Sequence, residues 1–204
     1  EHRTAEFELL SRLKNALDEE KPLRELELTL QEEKLLRVYS FLSMKPCLVV
    51  VNVGEDQITQ ASPLESLSSS KRRVVPLSAK IEAEMAQLEE GDAKEFMESL
   101  GIDKPARDRV IASSYALLGL ISFLTVGEDE VRAWTIREGT VAVEAGGVIH
   151  SDIQRGFIRA EVVAFEDLIQ AGSMAAAKKL GKVRLEGKEY VLHDGDVSHF
   201  LFNV

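Results

Sequence analysis

The sequence predicts an α/β fold followed by a smaller α+β domain, and three observations carry that reading. An apolar strand, a polar stop and an amphipathic helical pattern follow one another twice between Pro46 and Leu88, the layout of a parallel sheet with helices against it. From Gly119 onward the pattern changes to short period-2 strands punctuated by glycines. At 204 residues the chain is long enough for one ordinary domain or two small ones with cores of their own.

Taken in order, residues 1–21 place Phe7, Leu10, Leu13 and Leu17 at steps of three and four, one apolar stripe on a helix that Pro22 ends. So narrow a stripe needs a partner, and a helical hairpin whose other half precedes Glu1 is the simplest one. The chain opens without Met inside this helix, so it reads as a fragment. Thr29 and Glu32 form a capping box ahead of Leu30, Leu35, Leu36, Tyr39 and Leu42, a second helix stopped by Lys45-Pro46. Cys47–Val51 reads as a strand buried on both faces. A Ser-rich run, "QASPLESLSSSKRR", then reads as a surface loop or short helix. Val74–Leu77 is the second strand, and two helical patterns divided by Gly101 and Pro105 fill residues 92–118. Beyond Gly119, "ISFLTV" and "VRAWTI" flank Gly127-Glu128-Asp129-Glu130 as a hairpin. "FIRAEVV" leads into one helix near Phe165–Ile169, and a closing hairpin is punctuated by Gly187 and Gly195.

Composition excludes several classes. No apolar run approaches the roughly 20 residues of a membrane helix, and the first residues form no signal-peptide core. A single cysteine, Cys47, rules out an internal disulfide and fits a reducing cytoplasm. The net charge of −10 argues against DNA or any other polyanion held by bulk electrostatics, so a nucleic-acid contact would need a local basic patch.

Two strand ends carry the chemistry. Asn52-Val53-Gly54-Glu55 closes the first strand, where GTPases place Asn-Lys-x-Asp: the Asn amide braces the loop and touches the base, and the Asp carboxylate accepts from the N1–H and 2-amino groups of guanine. Adenine offers a lone pair at N1 and no 2-amino group, and replacing Asp by the longer Glu and Lys by Val removes the guanine clamp. Taken alone, these four residues read better as a strand end with Asn and Gly in a turn, and it is the second strand end that shifts the balance. Ser78-Ala79-Lys80 closes the second strand as the other base-side loop of that fold, with its backbone N–H groups and lysine stem against the purine; its plainer reading is an N-cap by Ser78 assisted by Glu82. The phosphate half is missing. No GxxxxGK[ST] occurs, and no Asp-x-x-Gly precedes the strands on a strand of its own.

The stretches "PCLVVVNVGE", "PLSAKIEAE", "YALLGLISFLTVGEDEVRAWTIREGT", "AGGVIHSDIQRGFIRAEVVAFEDL" and "LEGKEYVLHDGDVSHFLFNV" together resemble the Obg-like ATPases of the YchF type over essentially the whole chain. That resemblance implies an α/β remnant of a P-loop G domain with a helical-hairpin arm, followed by an α+β β-grasp domain of the ubiquitin-like TGS kind. It divides the chain into part of the arm (1–28), the C-terminal part of the G domain with its linker helices (29–118) and the TGS domain (119–204). It implies binding and hydrolysis of ATP, with GTP weaker, in the intact cytoplasmic protein, a monomer coupled to the ribosome. Asn52, Val53 (through its main chain) and Glu55 would border the adenine, with Ser78, Ala79 and Lys80 on the other side; Mg²⁺ ligands and catalytic residues would lie outside this chain, which alone should be inactive. A non-enzymatic module that binds the ribosome or ribosomal RNA through its second domain is the alternative.

The remaining residues have plainer readings. His150 has no second ligand at metal spacing and reads as a structural hydrogen bond. His193 and His199 make a poor zinc pair, since they share a side only if Gly195 makes no turn. Cys47 reads as a small core residue and Trp134 as core or half-buried surface. Lys71-Arg72-Arg73 is a solvated loop or an RNA contact. Arg132, Arg155 and Arg159 are candidate ribosomal or RNA contacts on an exposed sheet face with no deep cleft, unless they pair with Glu130, Asp152 and Glu161.

Overall fold

The computed structural model describes residues 2–58, 60, 63–127 and 130–203. Two compact units divide the chain, Glu1–Leu118 and Gly119–Val204.

In the first unit, α1 (His2–Asp18) buries Leu9, Leu13 and Ala16 against Leu23 and Leu36. The expected stripe is therefore shifted: Phe7 stays 72% exposed and Leu17 is exposed as well. Leu9 and Leu10 are adjacent, so two registers at helical spacing compete, and the register that meets the following turns wins. The helix ends before Pro22, with Glu20 in the left-handed region (φ 59°). Helix α2 (Leu30–Leu36) has its capping box: Thr29 N–H donates to Glu32 at 2.8 Å, and Glu32 N–H donates to Thr29 Oγ1 at 3.3 Å. It is shorter than expected, because Arg37–Tyr39 tightens to a 3-10 turn closed by left-handed Ser40, and Leu42 is left exposed.

Strands β1 (Cys47–Asn52) and β2 (Arg72–Leu77) pair in parallel from Cys47↔Arg72 to Asn52↔Leu77. Burial of β1 on both faces is not found: Val50 is 48% exposed and Cys47 is half-buried, outside the core. The reason is that among the described residues this sheet has two strands. Helices α3 (Ala79–Met85), α4 (Glu90–Ser99) and α5 (Ala106–Leu118) follow, with α5 packed on both strands.

The second unit contains β3 (Leu120–Val126), β4 (Val131–Arg137), α6 (Ala142–Ile149), α7 (Ser151–Arg155), β5 (Phe157–Ala164), α8 (Phe165–Ala171), α9 (Met174–Lys179), β6 (Arg184–Glu186) and β7 (Asp196–Phe202). Strands β3 and β4 form the expected antiparallel pair, closed by a 2.9 Å hydrogen bond from Gly127 N–H to Glu130 C=O; Glu128 and Asp129 lie outside the described residues. The sheet order is β4-β3-β7-β5-β6, with β3 and β7 parallel. The closing hairpin is thus corrected. Strand β7 inserts between β3 and β5, while three-residue β6 pairs with the far side of β5. Asp196, Val197 and Ser198 are buried, as a central strand requires, and β6 is the exposed edge.

Among the described residues four helices replace the single one expected. Gly146 and Gly147 lower the helix propensity of α6 and hide it from pattern reading, yet they permit close packing: a Cβ at Gly146 would stand 2.8 Å from Ile153. One sheet face packs Phe123, Ile136, Ala160, Val162 and Phe200 against Ala142 and Ala145 of α6. The other face is not open throughout, since Val163 and Val197 pack with Ala177 of α9. Beside them lies a cleft of about 480 Å³ lined by Val126, Glu161, Leu168, Met174 and His199, among others.

A buried carboxylate ties the closing segment down. Asp196 accepts from the Tyr190 hydroxyl at 2.8 Å and the His193 N–H at 2.9 Å, with Arg184 donating to the Tyr190 oxygen at 2.7 Å. Burial, and then the Asp196 hydrogen bond, push the Tyr190 phenol up from 10.0 to about 12. The folded state holds this proton more tightly, so the resulting stability is complete below pH 10 and is lost as pH rises toward 12. Urea midpoints of the wild type should fall across that interval, and Tyr190→Phe should remove this part of the fall while lowering the neutral-pH midpoint; parallel pH profiles would contradict the assignment.

Candidate functional site

The site grows from the parallel pairing of β1 and β2. Two parallel strands leave the sheet on the same side, so the residues after Asn52 and after Leu77 are neighbours. Val53 N–H donates to Leu77 C=O at 2.8 Å and extends the ladder by one step. The Val53 carbonyl is what its main chain has left for a ligand. Asn52 Oδ1 then accepts from the Ala79 N–H at 3.0 Å, across the gap to the first turn of α3. The amide oxygen being engaged, the Nδ2 donors of Asn52 have no partner among the described residues.

Glu55 opens a short 3-10 turn, Glu55–Gln57, in which Gly54 N–H donates to Gln57 Oε1 at 3.3 Å. The Lys80 ammonium donates to the Glu55 carboxylate, and Glu84 stands 3.9 Å from the same nitrogen. The Glu55 hydrogen bond and its charge hold Lys80 protonated to higher pH than an ordinary lysine. All six residues expected at this site, Asn52, Val53, Glu55, Ser78, Ala79 and Lys80, therefore meet at one pair of strand ends.

Ser78 occupies the N-cap position and is buried, but its side chain makes no capping bond. Asn52 serves the N–H of Ala79 instead. Glu82, expected to assist Ser78, accepts from the Ala106 N–H at 2.8 Å and so caps α5. Arg109 of α5 donates to the Pro76 carbonyl at 2.8 Å, which fixes α5 to β2 just before the site. Glu84 is not among the residues expected from sequence, although its i,i+4 spacing from Lys80 is a readable signal.

The three arginines are not brought together. Arg132 lies on the α6 side of β4, with its guanidinium 4.2 Å from the Trp134 ring and 3.9 Å from Glu130. Arg155 ends α7 and pairs with Asp152 at 2.7 Å. Arg159, on β5, points with Glu161 to the face opposite Ala160 and Val162, by strand alternation. It has no ion pair among the described residues; the partner of Glu161 is Lys178. Trp134 is half-buried and donates to Thr125 at 2.9 Å. His150 caps α7, its Nδ1 accepting from Asp152 N–H at 3.2 Å. Gly195 is left-handed (φ 79°), so His193 and His199 do not share one straight strand. Lys71 and Arg72 stand 3.9 Å from Glu33 and Glu25, which ties the start of β2 to the helical region; Arg73 is exposed.

Known proteins supply an independent comparison. The family model YchF-GTPase_C, described as "Protein of unknown function (DUF933)", matches residues 120–203. The chain is 50% identical over 206 residues to the ribosome-binding ATPase YchF of Bacillus subtilis (strain 168), covering 98% of the chain and 56% of that protein. It is 41% identical over 204 residues to the ribosome-binding ATPase YchF of Escherichia coli O157:H7, again covering 98% of the chain and 56% of that protein. Its structure matches the Schizosaccharomyces pombe YchF GTPase with a TM-score of 0.81 at 29% identity, over 98% of this chain and 55% of that one. The chain belongs to the YchF family. It spans about half the length of these relatives, and its mixed α/β fold is that of the solved YchF structure.

The Asn52 bridge gives a direct test of the geometry. Removing one such hydrogen bond changes stability by about 1 kcal/mol. Asn52→Ala should lower the stability of the chain by that amount, whereas Asn52→Asp, which keeps the acceptor for Ala79, should retain most of it. Equal losses in chemical denaturation would show that the amide oxygen does not brace the two strand ends.

Proposed function

We propose that this chain is the C-terminal portion of a YchF-type nucleoside triphosphate hydrolase of the cytoplasm, a monomer that binds ATP in preference to GTP and associates with the ribosome. The observation that carries the reading is the meeting of Asn52, Val53, Glu55 and Ser78–Lys80 at one pair of strand ends, bridged from Asn52 to Ala79. The relatives' name, ribosome-binding ATPase YchF, supports both activities.

The donor pattern favours adenine. Asn52 Nδ2 is a donor for purine N7, an acceptor that both bases share. The Val53 carbonyl is an acceptor for the 6-amino group of adenine and repels the 6-oxo group of guanine. The Ala79 N–H, which would serve a 6-oxo group, is already engaged by Asn52. These residues fit a purine base and nothing more of the nucleotide. Mg²⁺ and the phosphates are assigned to residues beyond this chain, a reading supported by a sequence that carries neither GxxxxGK[ST] nor Asp-x-x-Gly. On its own the chain is inactive.

Residues 1–28 are assigned to a helical-hairpin arm, 29–118 to the end of a G domain and 119–204 to a TGS domain. The sheet order supports the last assignment, because a β-grasp sets its first and last strands side by side and parallel at the centre, as β3 and β7 are.

Base selection tests the nucleotide reading. In the full-length protein, Glu55→Asp combined with Val53→Lys should shift the ATP:GTP affinity ratio toward GTP roughly tenfold or more, the worth of a well-oriented pair of hydrogen bonds to a base; an unmoved ratio would show that these residues do not border it. Ribosome association through the second unit rests on the arginines. Arg132 and Arg155 are partly satisfied within the unit, so the loss should fall mainly on Arg159→Ala: weaker co-sedimentation with ribosomes, a salt slope flatter by about one unit for each phosphate interaction removed, and an unchanged melting point. Unchanged co-sedimentation of the triple alanine variant would remove the arginines from the interface.

A further inference from the structure

Glu55 does not face the base site as a free acceptor. Its carboxylate is engaged by the ammonium of Lys80, and that bond spans the gap between the turn after β1 and the helix after β2, the same gap that Asn52 and Val53 line. Glu84, one helical turn along α3, stands 3.9 Å from the same ammonium. The lysine is thus held between carboxylates from two different elements. All three side chains are substantially solvent-exposed, at 68% for Lys80, 46% for Glu55 and 47% for Glu84, and exposed ion pairs contribute little to folding. Stability does not account for this arrangement. Fixing the rotamers of a long lysine before a ligand arrives does, because ordering such a side chain on binding weakens the complex.

We infer that Glu55 is a positioning residue that holds the Lys80 stem as a strap across the face of a bound purine, with Glu84 as its second anchor, and that it does not read the edge of the base. This inference rests on the nucleotide reading proposed above. It explains how a carboxylate is tolerated beside adenine: the ammonium neutralises it and draws it away from the N1 lone pair. It also separates two tasks. Asn52 and Val53 meet the polar edge of the ring, while the Lys80 methylenes cover its apolar face.

The test uses the full-length protein and two ligands, ATP and inorganic tripolyphosphate, which has no base. Lys80→Ala should weaken ATP binding about tenfold, equivalent to about 1.4 kcal/mol, and leave tripolyphosphate unchanged. Glu55→Ala should weaken ATP and GTP alike, each about threefold to tenfold, leaving their ratio as in the wild type. In the Lys80→Ala background the Glu55→Ala effect should vanish, the coupling expected when one residue acts through the other. An effect of Glu55→Ala that persists without Lys80, or that changes the ATP:GTP ratio, overturns the strap while leaving the nucleotide site in place. A wild type that binds no ATP overturns both together.

Discussion

One hydrogen bond, from the Ala79 N–H to Oδ1 of Asn52, sets the geometry of the strand ends that form the candidate site of the first unit. Parallel strands have no tight turn to join them, and the described part of the connection from β1 to β2 includes the 3-10 turns Glu55–Gln57 and Pro63–Leu67. The backbone ladder aligns the strands as far as Val53 and Leu77. Past that point, among the described residues, side chains hold the two exits together. Asn52 does so with a group short enough to be rigid, and the same side chain has a second polar end. Bracing with the oxygen orients the nitrogen, so one residue turns a strand end into a directed donor.

The supports behind that bond are arranged in series. Glu82 caps α5, Arg109 of α5 holds the Pro76 carbonyl of β2, and β2 positions Ser78. A helix that would otherwise only cover the sheet thus becomes a clamp on the strand that carries half the site. The first turn of α3 gains its partner from the neighbouring strand, which leaves Glu82 free to serve another helix. Exposed Lys80 depends least on this scaffold and most on its carboxylates.

Much of this was legible in the sequence. The strand ends were readable because an apolar run stopping at Asn52, and another stopping at Ser78, carry their own punctuation. The capping box at Thr29 and the β3–β4 hairpin are likewise local signals, and they were found where their residues stand. What could not be read was decided by distant partners. The inward face of α1 depended on which leucine register met Leu23 and Leu36. The length of α2 depended on the chain turning at Ser40, which no propensity marks. The position of β7 between β3 and β5 is a matter of long-range pairing, and proximity in sequence to β6 suggested the wrong neighbour. Within the site, residue identities were legible but bonds were not: that Lys80 answers Glu55 follows only once the two strands are known to be parallel neighbours.

The two units divide polar chemistry in opposite ways. The second unit turns its polar groups inward or against one another. Asp196 is buried under Tyr190 and the His193 amide, His150 is used as a cap, and Glu161 is engaged by Lys178. Its nine Lys and Arg stand against thirteen Asp and Glu, so no broad field draws a polyanion to it. A surface whose charges are mostly answered at home suits recognition by a few side chains and by shape. The first unit, by contrast, has at its strand ends an amide donor and a main-chain acceptor that find no partner among the described residues, on consecutive residues and of opposite polarity. Groups of fixed direction and opposite polarity suit a planar heterocycle with alternating donors and acceptors, and that asymmetry is what supports the proposed placing of base recognition in the first unit.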